Sequence, residues 1–291
     1  MSMKKVAVIT DAIGNCWLLE ALARKEIDVV YIGNSASIIE KVKQQLENIL
    51  NEKIRKWSIT ETEKKVILSR IHFQTGISNL DDIDMIIESI TGSFYEKKEL
   101  IERLEKSLGD DVIIATNALA CRVSDFQNDV KHPEKMIGIH FIRHFAEIIK
   151  GNKTSNATYH KLKTFVEQLN ISSIDVKDSP GNVFNRLTLC FMNEAIDILS
   201  EGIVSPEDLD TMLKSVFEWR RGPLEMADRI GLDQILNELD QLYRVTRNKK
   251  YLASTYLRNL VADGRTGTVS GEGFFQYDLH GKRLQDTQEV Y

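Results

Sequence analysis

The side chains of this chain that could bind a metal or form disulfides are few and widely separated. Cys16, Cys121 and Cys190 share no CxxC or Cys/His spacing, so we expect neither a zinc site nor a disulfide framework. A sparse, odd set of cysteines is typical of a reducing compartment. No group of His, Asp and Glu has the spacing of metal ligands either. We therefore predict no metal site.

One histidine lies in an unusual context, because His140 is flanked by Ile139 and Phe141 in an apolar segment. An imidazole there is either a satisfied core histidine or a base that works near neutral pH. The pattern alone leaves both interpretations open.

The elements that must position this histidine alternate in type along the first half of the chain. Short apolar runs typical of buried strands occur at residues 6–9, 29–32, 85–87, 112–114 and 136–139. Between them, helical spacing of apolar residues begins near Ser37 and near Thr60. Strands that alternate with amphipathic helices predict an α/β fold with a doubly wound, mostly parallel sheet and helices on both faces.

The composition changes after the turn-forming residues 178–181, and strand-like runs nearly vanish beyond them. Ser205 is a predicted helix cap with Pro206 in the first turn. The helix that follows has a predicted core stripe formed by Leu209, Met212, Leu213 and Val216. We predict two domains, residues 1–180 and an all-α domain at residues 181–291, which a glycine-rich apolar tail from Gly264 closes.

The overall charge excludes some classes of function. The 291 residues carry a formal net charge of −5 with a pI near 5.8, so no basic face for nucleic acid is predicted. No apolar run is long enough to span a bilayer, and the N-terminus has no signal-peptide pattern. We expect a cytoplasmic protein without membrane association.

Several segments, in this order, resemble the 3-hydroxyacyl-CoA dehydrogenase family along nearly the whole chain. They are residues 113–117, 133–141, 176–186, 222–228, 230–233 and 271–275. The resemblance implies a Rossmann-like domain followed by an α-helical dimerisation domain. It also implies a homodimeric oxidoreductase of fatty acid metabolism that uses NAD and acts on an acyl-CoA or acyl-carrier thioester.

The same resemblance assigns roles to individual residues. It implies that His140 is the catalytic base, that Glu147 orients its imidazole, and that Asn185 binds near the substrate carbonyl. Asn117 matches a polar position beside the cofactor. Glu147 could instead be a solvated helix carboxylate, and Asn185 could cap the first helix of the second domain. The segment 141–146 is shorter than in the family and lacks its Asn-Pro-Val-Pro stretch, which puts the geometry of the pair in question.

The loop after the first strand departs from the family pattern. A dinucleotide loop needs glycines for a tight turn and for close approach of the diphosphate. Here Thr10, Ala12 and Asn15 hold the three glycine positions, and Gly14 is one residue out of register. Asp11 adds a negative charge beside the place meant for phosphates. We therefore expect weakened or altered cofactor binding.

Other cofactor and substrate positions have also changed. Gly33 stands where an acid would bind the ribose hydroxyls, and Asn34 follows it. Gly92 replaces a family glutamate whose usual ion-pair partner, Lys97, remains. Leu119 replaces a serine that hydrogen-bonds the substrate oxygen, and leucine can neither donate nor accept.

Three functions remain open at this point. The first is a 3-hydroxyacyl thioester oxidoreductase that uses NAD, or NADP, because Asn34 and the serines after it suit a 2′-phosphate and Lys41 is the nearest cation. The second is a non-redox enzyme that uses His140 and Glu147 for proton transfer. The third is a non-catalytic dimeric scaffold that binds no cofactor.

Overall fold

A computed structural model describes residues 3–11, 16–78, 80 and 82–284. The chain divides into two compact units, Met1–Pro180 and Gly181–Tyr291.

The first unit is built on one eight-stranded sheet. Its strands are β1 (Lys5–Thr10), β2 (Asp28–Gly33), β3 (Ile71–Gln74), β4 (Met85–Glu88), β5 (Ile113–Thr116), β6 (Met136–Ile142), β7 (Phe145–Lys150) and β8 (Ser172–Lys177). Their order is β3-β2-β1-β4-β5-β6-β7-β8, and only the β6–β7 pair is antiparallel. The predicted doubly wound, mostly parallel sheet is therefore confirmed.

Helices cover both faces of this sheet. They are α1 (Cys16–Arg24), α2 (Ala36–Arg55), α3 (Glu61–Ser69), α4 (Phe94–Glu105), α5 (Val123–Phe126) and α6 (Asn156–Gln168). Because side chains alternate along a strand, Val6, Val8, Val29 and Tyr31 pack in the core of one face together with α1, α2 and α6. Ala7, Ile9, Val30 and Ile32 pack in the core of the other face, together with Leu104 of α4.

Three strands, β3, β7 and β8, were not predicted from the sequence. The strands β3 and β8 are the sheet edges, and edge strands carry polar residues that break up an apolar run. Four of the six residues of β8 are exposed. The strand β7 was missed because residues 141–146 were interpreted as a connection and not as part of a hairpin.

The described residues of the second unit, up to residue 284, form five α-helices. They are α7 (Val183–Ser200), α8 (Pro206–Phe217), α9 (Pro223–Ile230), α10 (Leu232–Thr246) and α11 (Thr255–Ala262). The predicted start of α8 is confirmed, since the Ser205 hydroxyl accepts a hydrogen bond from the Asp208 amide. The predicted core stripe of α8 is correct for Leu209, which is buried, and in part for Leu213, which is half-buried. It is wrong for Met212 and Val216, which are 55% and 68% exposed.

The predicted closing segment from Gly264 is irregular and is anchored on α9 by one buried carboxylate. Asp228 accepts hydrogen bonds from the amides of Phe274 and Phe275 and from the Tyr277 hydroxyl, all at 2.9–3.0 Å. A Cβ at Gly273 would lie 2.0 Å from an Asp228 carboxylate oxygen. The tail can therefore approach this carboxylate only because position 273 has no side chain.

Candidate active site

His140 and Glu147 face each other across the β6–β7 hairpin. They are directly paired in the antiparallel register, so their side chains lie on the same face of the sheet. The imidazole Nδ1 is 3.3 Å from the Glu147 Oε2, and the two side chains are 12% and 2% exposed. Glu147 therefore lies on a buried strand, and the alternative of a solvated helix carboxylate is wrong.

The short connection between β6 and β7 explains why His140 and Glu147 remain opposite each other although segment 141–146 is shorter than in the family. The strand β6 ends at Ile142 and β7 begins at Phe145. The two residues between them form a tight turn in which Arg143 has a φ of 52°. Such a two-residue turn fixes the hairpin register, and this register places residue 140 opposite residue 147. The shortening of segment 141–146 therefore leaves the His140 imidazole in contact with the Glu147 carboxylate.

This geometry determines what the imidazole can do. A carboxylate beside Nδ1 accepts the Nδ1–H hydrogen bond and selects one tautomer, which leaves Nε2 as the basic nitrogen. The same carboxylate stabilises the imidazolium after Nε2 has taken a proton. The His140–Glu147 pair is thus competent as a general base.

The loop after β5 lies at the same edge of the sheet as His140, because Thr116 is paired with Gly138 of β6. In this loop the Asn117 Oδ1 accepts a hydrogen bond from the Leu119 amide at 3.4 Å. Leu119 has a φ of 49°, in the left-handed region that few non-glycine residues adopt. The loop therefore presents an apolar side chain where the resemblance places a serine.

The ends of β1 and β4 are bridged by side chains. Thr10 is buried, and its hydroxyl donates to the Ser89 carbonyl at 3.3 Å. The Asp11 carboxylate accepts from the Thr91 amide at 2.9 and 3.0 Å and from the Thr91 hydroxyl at 2.8 Å. The strand order reverses between β1 and β4, which is where folds of this kind bind ligands. Asp11 thus places a negative charge at that crevice.

The other three predicted residues of this loop, Ala12, Gly14 and Asn15, lie outside the described residues. Their assignment to the cofactor site stays a prediction.

Lys97, a predicted cofactor residue, is buried in α4 and forms an ion pair. Its Nζ lies 2.8 Å from the Glu88 Oε1 at the end of β4. Glu88 also accepts hydrogen bonds from the Ile90 amide at 2.8 Å and from the Thr116 hydroxyl. Glu88 was not among the residues predicted from the sequence, although an acid directly after the apolar run 85–87 was a visible signal. The contacts of the Glu88 carboxylate thus join α4 to the ends of β4 and β5.

The end of β2 is shaped by Gly33. A Cβ at this position would lie 2.9 Å from the Ile39 Cγ1 and 3.2 Å from the Tyr31 Cε1, so an acidic side chain could not enter without displacing its neighbours. Asn34 is exposed, and the Ser35 hydroxyl caps α2 by accepting from the Ile38 amide. The sequence analysis did not single out Tyr31, because a tyrosine in a buried strand is common.

Asn185 belongs to the second unit. Its Nδ2 donates to the Glu238 carboxylate at 3.1 Å. The helix α7 begins at Val183 with Asn182 in the cap position. The alternative in which Asn185 caps this helix is therefore wrong.

No group of three or more His, Cys, Asp or Glu residues that could hold a metal ion occurs among the described residues. No helix in this part of the chain is both long and apolar enough to cross a membrane.

Comparisons with known proteins cover almost the whole chain. Residues 5–179 match the family model described as the NAD binding domain of 3-hydroxyacyl-CoA dehydrogenase, and residues 181–277 match its C-terminal domain. A 3-hydroxybutyryl-CoA dehydrogenase from Clostridioides difficile is 29% identical over 279 residues, which are 94% of this chain and 99% of that protein. The human mitochondrial hydroxyacyl-coenzyme A dehydrogenase is 28% identical over 94% of this chain and 91% of its own.

A solved structure is similar over the same extent. The crystal structure of an (S)-3-hydroxybutyryl-CoA dehydrogenase from Ralstonia eutropha superimposes with a TM-score of 0.83 at 30% identity. The match covers 95% of this chain and all of that one. The two domain models and this superposition agree on one scaffold.

Proposed function

The chain belongs to the 3-hydroxyacyl-CoA dehydrogenase family, and on that premise we propose that it oxidises the 3-hydroxyl of a 3-hydroxyacyl thioester. The observation that carries the proposal is the His140–Glu147 pair, which keeps its register and its 3.3 Å contact in a shortened hairpin. The thioester is carried on CoA or on an acyl carrier.

The residues of the chain supply the proton chemistry. The Nε2 of His140 takes the proton of the 3-hydroxyl while the C3–H bond breaks and the C3–O bond becomes a carbonyl. The Glu147 carboxylate holds the ring and balances the charge of the imidazolium. For Asn185, the resemblance implies a hydrogen bond near the substrate carbonyl, and this role stays a prediction. A bound nicotinamide dinucleotide supplies the acceptor for the hydride that leaves C3.

The residues at the carboxyl edge of the sheet fit such a dinucleotide. The helix α1 begins there at Cys16, and the first turn has no acidic residue that would repel a diphosphate. The Tyr31 hydroxyl is buried and has no hydrogen-bond partner among the described residues. Asn117 follows β5 at the same edge. These groups would hold the dinucleotide.

The test is a turnover assay on the purified chain. We expect 3-hydroxybutyryl-CoA to be oxidised with NAD⁺ or NADP⁺, followed by the absorbance of the reduced nicotinamide. His140→Ala should lower kcat by about 10²–10⁴-fold and leave dinucleotide binding unchanged. His132→Ala is the matched control, because His132 forms a surface contact with Asp110. Full turnover of the His140→Ala variant would contradict the assignment of the base.

One observation favours a second candidate. The Asp11 carboxylate, held by Thr91, occupies the crevice between β1 and β4 and would repel a diphosphate. In this candidate the chain binds no NAD. Either the His140–Glu147 pair catalyses a proton transfer without hydride transfer, or the protein is a non-catalytic scaffold. Titration with NADH and NADPH that stays flat up to millimolar concentration would support this candidate against the first.

We further propose that the chain forms a homodimer through the second unit. An apolar face of α7 and α8 is exposed, and its members are Val183, Phe184, Leu187, Met212, Val216, Phe217 and Trp219. Phe191 of α7 contacts the Trp219 ring, and Trp219 stacks on Phe217, so the two helices contribute to one surface. Exposed apolar patches of this kind mark protein interfaces, and a second copy of the chain would cover it.

Light scattering tests the dimer. We expect a dimer at micromolar concentration and a monomer for Leu187→Glu, because a carboxylate would be buried without a partner in the interface. Gln45→Glu, an exposed position on α2, is the control and should remain dimeric. A monomeric wild-type chain would contradict the proposal.

A further inference from the structure

Partly exposed apolar side chains lie on the same face of the sheet as the His140–Glu147 pair. Side chains alternate along a strand, so Ile142 lies on the same face as His140. Its partner across the hairpin is Phe145, which lies on the same face as Glu147. Phe145 is 37% exposed, and Ile142 is half-buried. This apolar pair is therefore the next row of the hairpin after the pair that holds the base.

The neighbouring strand β8 extends this surface. Ile174 is paired with Glu147 in the parallel register, so it lies on the same face, and it is 44% exposed. We call Ile142, Phe145 and Ile174 the apolar shelf. The shelf borders the His140–Glu147 pair along the hairpin and across the neighbouring strand.

The opposite face of the hairpin is covered, whereas the shelf is open. Phe141 lies on the opposite face and contacts the Trp17 ring of α1, with the ring centroids 6.0 Å apart. The connection from β6 to β7 consists of Arg143 and His144. Two residues are too few to fold back over a strand, so this turn leaves the shelf accessible beside the base.

We propose that the apolar shelf binds the hydrocarbon chain of the thioester beyond C4 and thereby selects 3-hydroxyacyl groups longer than four carbons. The inference deepens the proposed function and takes from it the class of substrate, a 3-hydroxyacyl thioester.

The distance from the base to the shelf determines the chain length that is favoured. A strand rises about 3.3 Å per residue, so Ile142 lies roughly 7 Å beyond His140 along β6. When its 3-hydroxyl is at the His140 imidazole, a 3-hydroxybutyryl group ends one carbon after C3 and stops short of Ile142 and Phe145. A 3-hydroxyoctanoyl group has four further carbons and reaches them.

The chemistry of the shelf fits a hydrocarbon better than it fits the carrier arm. Each methylene that is fully transferred from water to an apolar surface strengthens binding about fourfold. The pantetheine arm of CoA or of an acyl carrier contains amides, which would lose hydrogen bonds to water on such a surface. The acyl chain is therefore the part of the substrate that gains from contact with the shelf.

Calorimetric titration without dinucleotide tests the inference by direct binding. We expect 3-hydroxyoctanoyl-CoA to bind the wild-type chain at least about tenfold more tightly than 3-hydroxybutyryl-CoA, because several methylenes leave water. Phe145→Ala should reduce this affinity ratio at least about fivefold, since it removes the largest side chain of the shelf. Phe145→Leu keeps an apolar side chain and should retain most of the ratio.

Steady-state kinetics separate the shelf from the fold of the hairpin. The ratio of kcat/KM for the two thioesters should follow the ratio of their affinities. A distorted hairpin would instead lower the turnover of both thioesters alike and leave their ratio unchanged. Val66→Ala is the matched control, because Val66 is 50% exposed on α3, which leads into β3 at the opposite edge of the sheet. This variant should keep both ratios.

The possible failures are distinguishable. Equal affinity of the wild-type chain for the two thioesters, or an unchanged ratio in Phe145→Ala, would overturn this inference while turnover of 3-hydroxybutyryl-CoA upheld the proposed function. If Phe145→Ala abolishes a preference for the longer chain but neither dinucleotide supports turnover, the shelf is confirmed and the redox function is wrong.

Discussion

Lys97 and Glu88 form an ion pair in which Nζ and Oε1 lie 2.8 Å apart and both side chains are almost fully buried. The amide of Ile90 and the hydroxyl of Thr116 complete the shell around the carboxylate. Removing one partner of such a buried ion pair destabilises the fold, because the other charge stays buried without a partner. The pair is therefore a structural contact between α4 and the end of β4.

The first prediction concerns this pair. Lys97→Met should lower the free energy of unfolding by about 3–5 kcal/mol, because it leaves the Glu88 carboxylate buried and unpaired. Urea unfolding in the absence of any ligand measures the loss. Lys98→Met is the control, since Lys98 forms an exposed pair with Asp129 and its loss should hardly move the midpoint.

The opposite result would restore the role assigned from the sequence. If Lys97→Met unfolds like wild type but no longer binds dinucleotide, then Lys97 is a cofactor residue.

The second prediction concerns the partner of the catalytic base. Glu147→Gln keeps the size of the side chain but removes the charge and offers an amide to Nδ1, so the tautomer of His140 is no longer fixed. We expect kcat to fall at least about 10²-fold with little change in KM, because the stabilisation of the imidazolium is lost. Steady-state kinetics measure the effect, and circular dichroism verifies the fold. An unchanged kcat would show that Glu147 serves the fold alone.

The third prediction concerns the negative charge at the β1–β4 crevice. Asp11→Asn should tighten dinucleotide binding about fivefold, because a repulsion of roughly 1 kcal/mol with the diphosphate is removed. Fluorescence titration at low salt measures the gain, and high salt should reduce the difference between the two chains. Weaker binding by the variant would mean that the Asp11 carboxylate is itself a ligand-binding group.

The fourth prediction concerns the pH dependence of stability in the second unit. Burial raises the pKa of the Asp228 carboxyl to about 6, while hydrogen bonds from the amides of Phe274 and Phe275 and from the Tyr277 hydroxyl oppose the shift. The folded chain thus binds this proton more tightly than the unfolded chain, whose pKa is about 3.9. The protonated carboxyl therefore stabilises the fold most below about pH 4, and this contribution is lost as the pH rises through about 6.

A comparison with Asp228→Asn isolates the effect, because every other titrating group cancels in the difference. The difference in unfolding free energy, wild type minus variant, should fall by roughly 2–3 kcal/mol between pH 4 and pH 7. Urea unfolding at several pH values measures it. A difference that grows with pH would refute the raised pKa.

The scaffold could be predicted from the order of the residues alone. Apolar runs of strand length, separated by helical spacing, predicted the mostly parallel sheet, because a strand buried on both faces must be apolar along its whole length. The start of α8 could also be predicted, because the helix capping by Ser205 and the fixed backbone angle of Pro206 depend on adjacent backbone atoms alone. Such local and periodic constraints are written directly in the order of the residues.

Contacts between distant residues became visible in the folded chain and could not be predicted from the sequence. The hairpin register places Glu147 opposite His140, and nothing local to residue 147 distinguishes a strand from a helix there. The pairing of Lys97 with Glu88 joins a helix to the end of a strand. The exposure of Met212 and Val216 depends on which face of α8 the other helices cover. Each of these outcomes arises from packing between distant segments, and packing partners are not encoded in any single stretch of sequence.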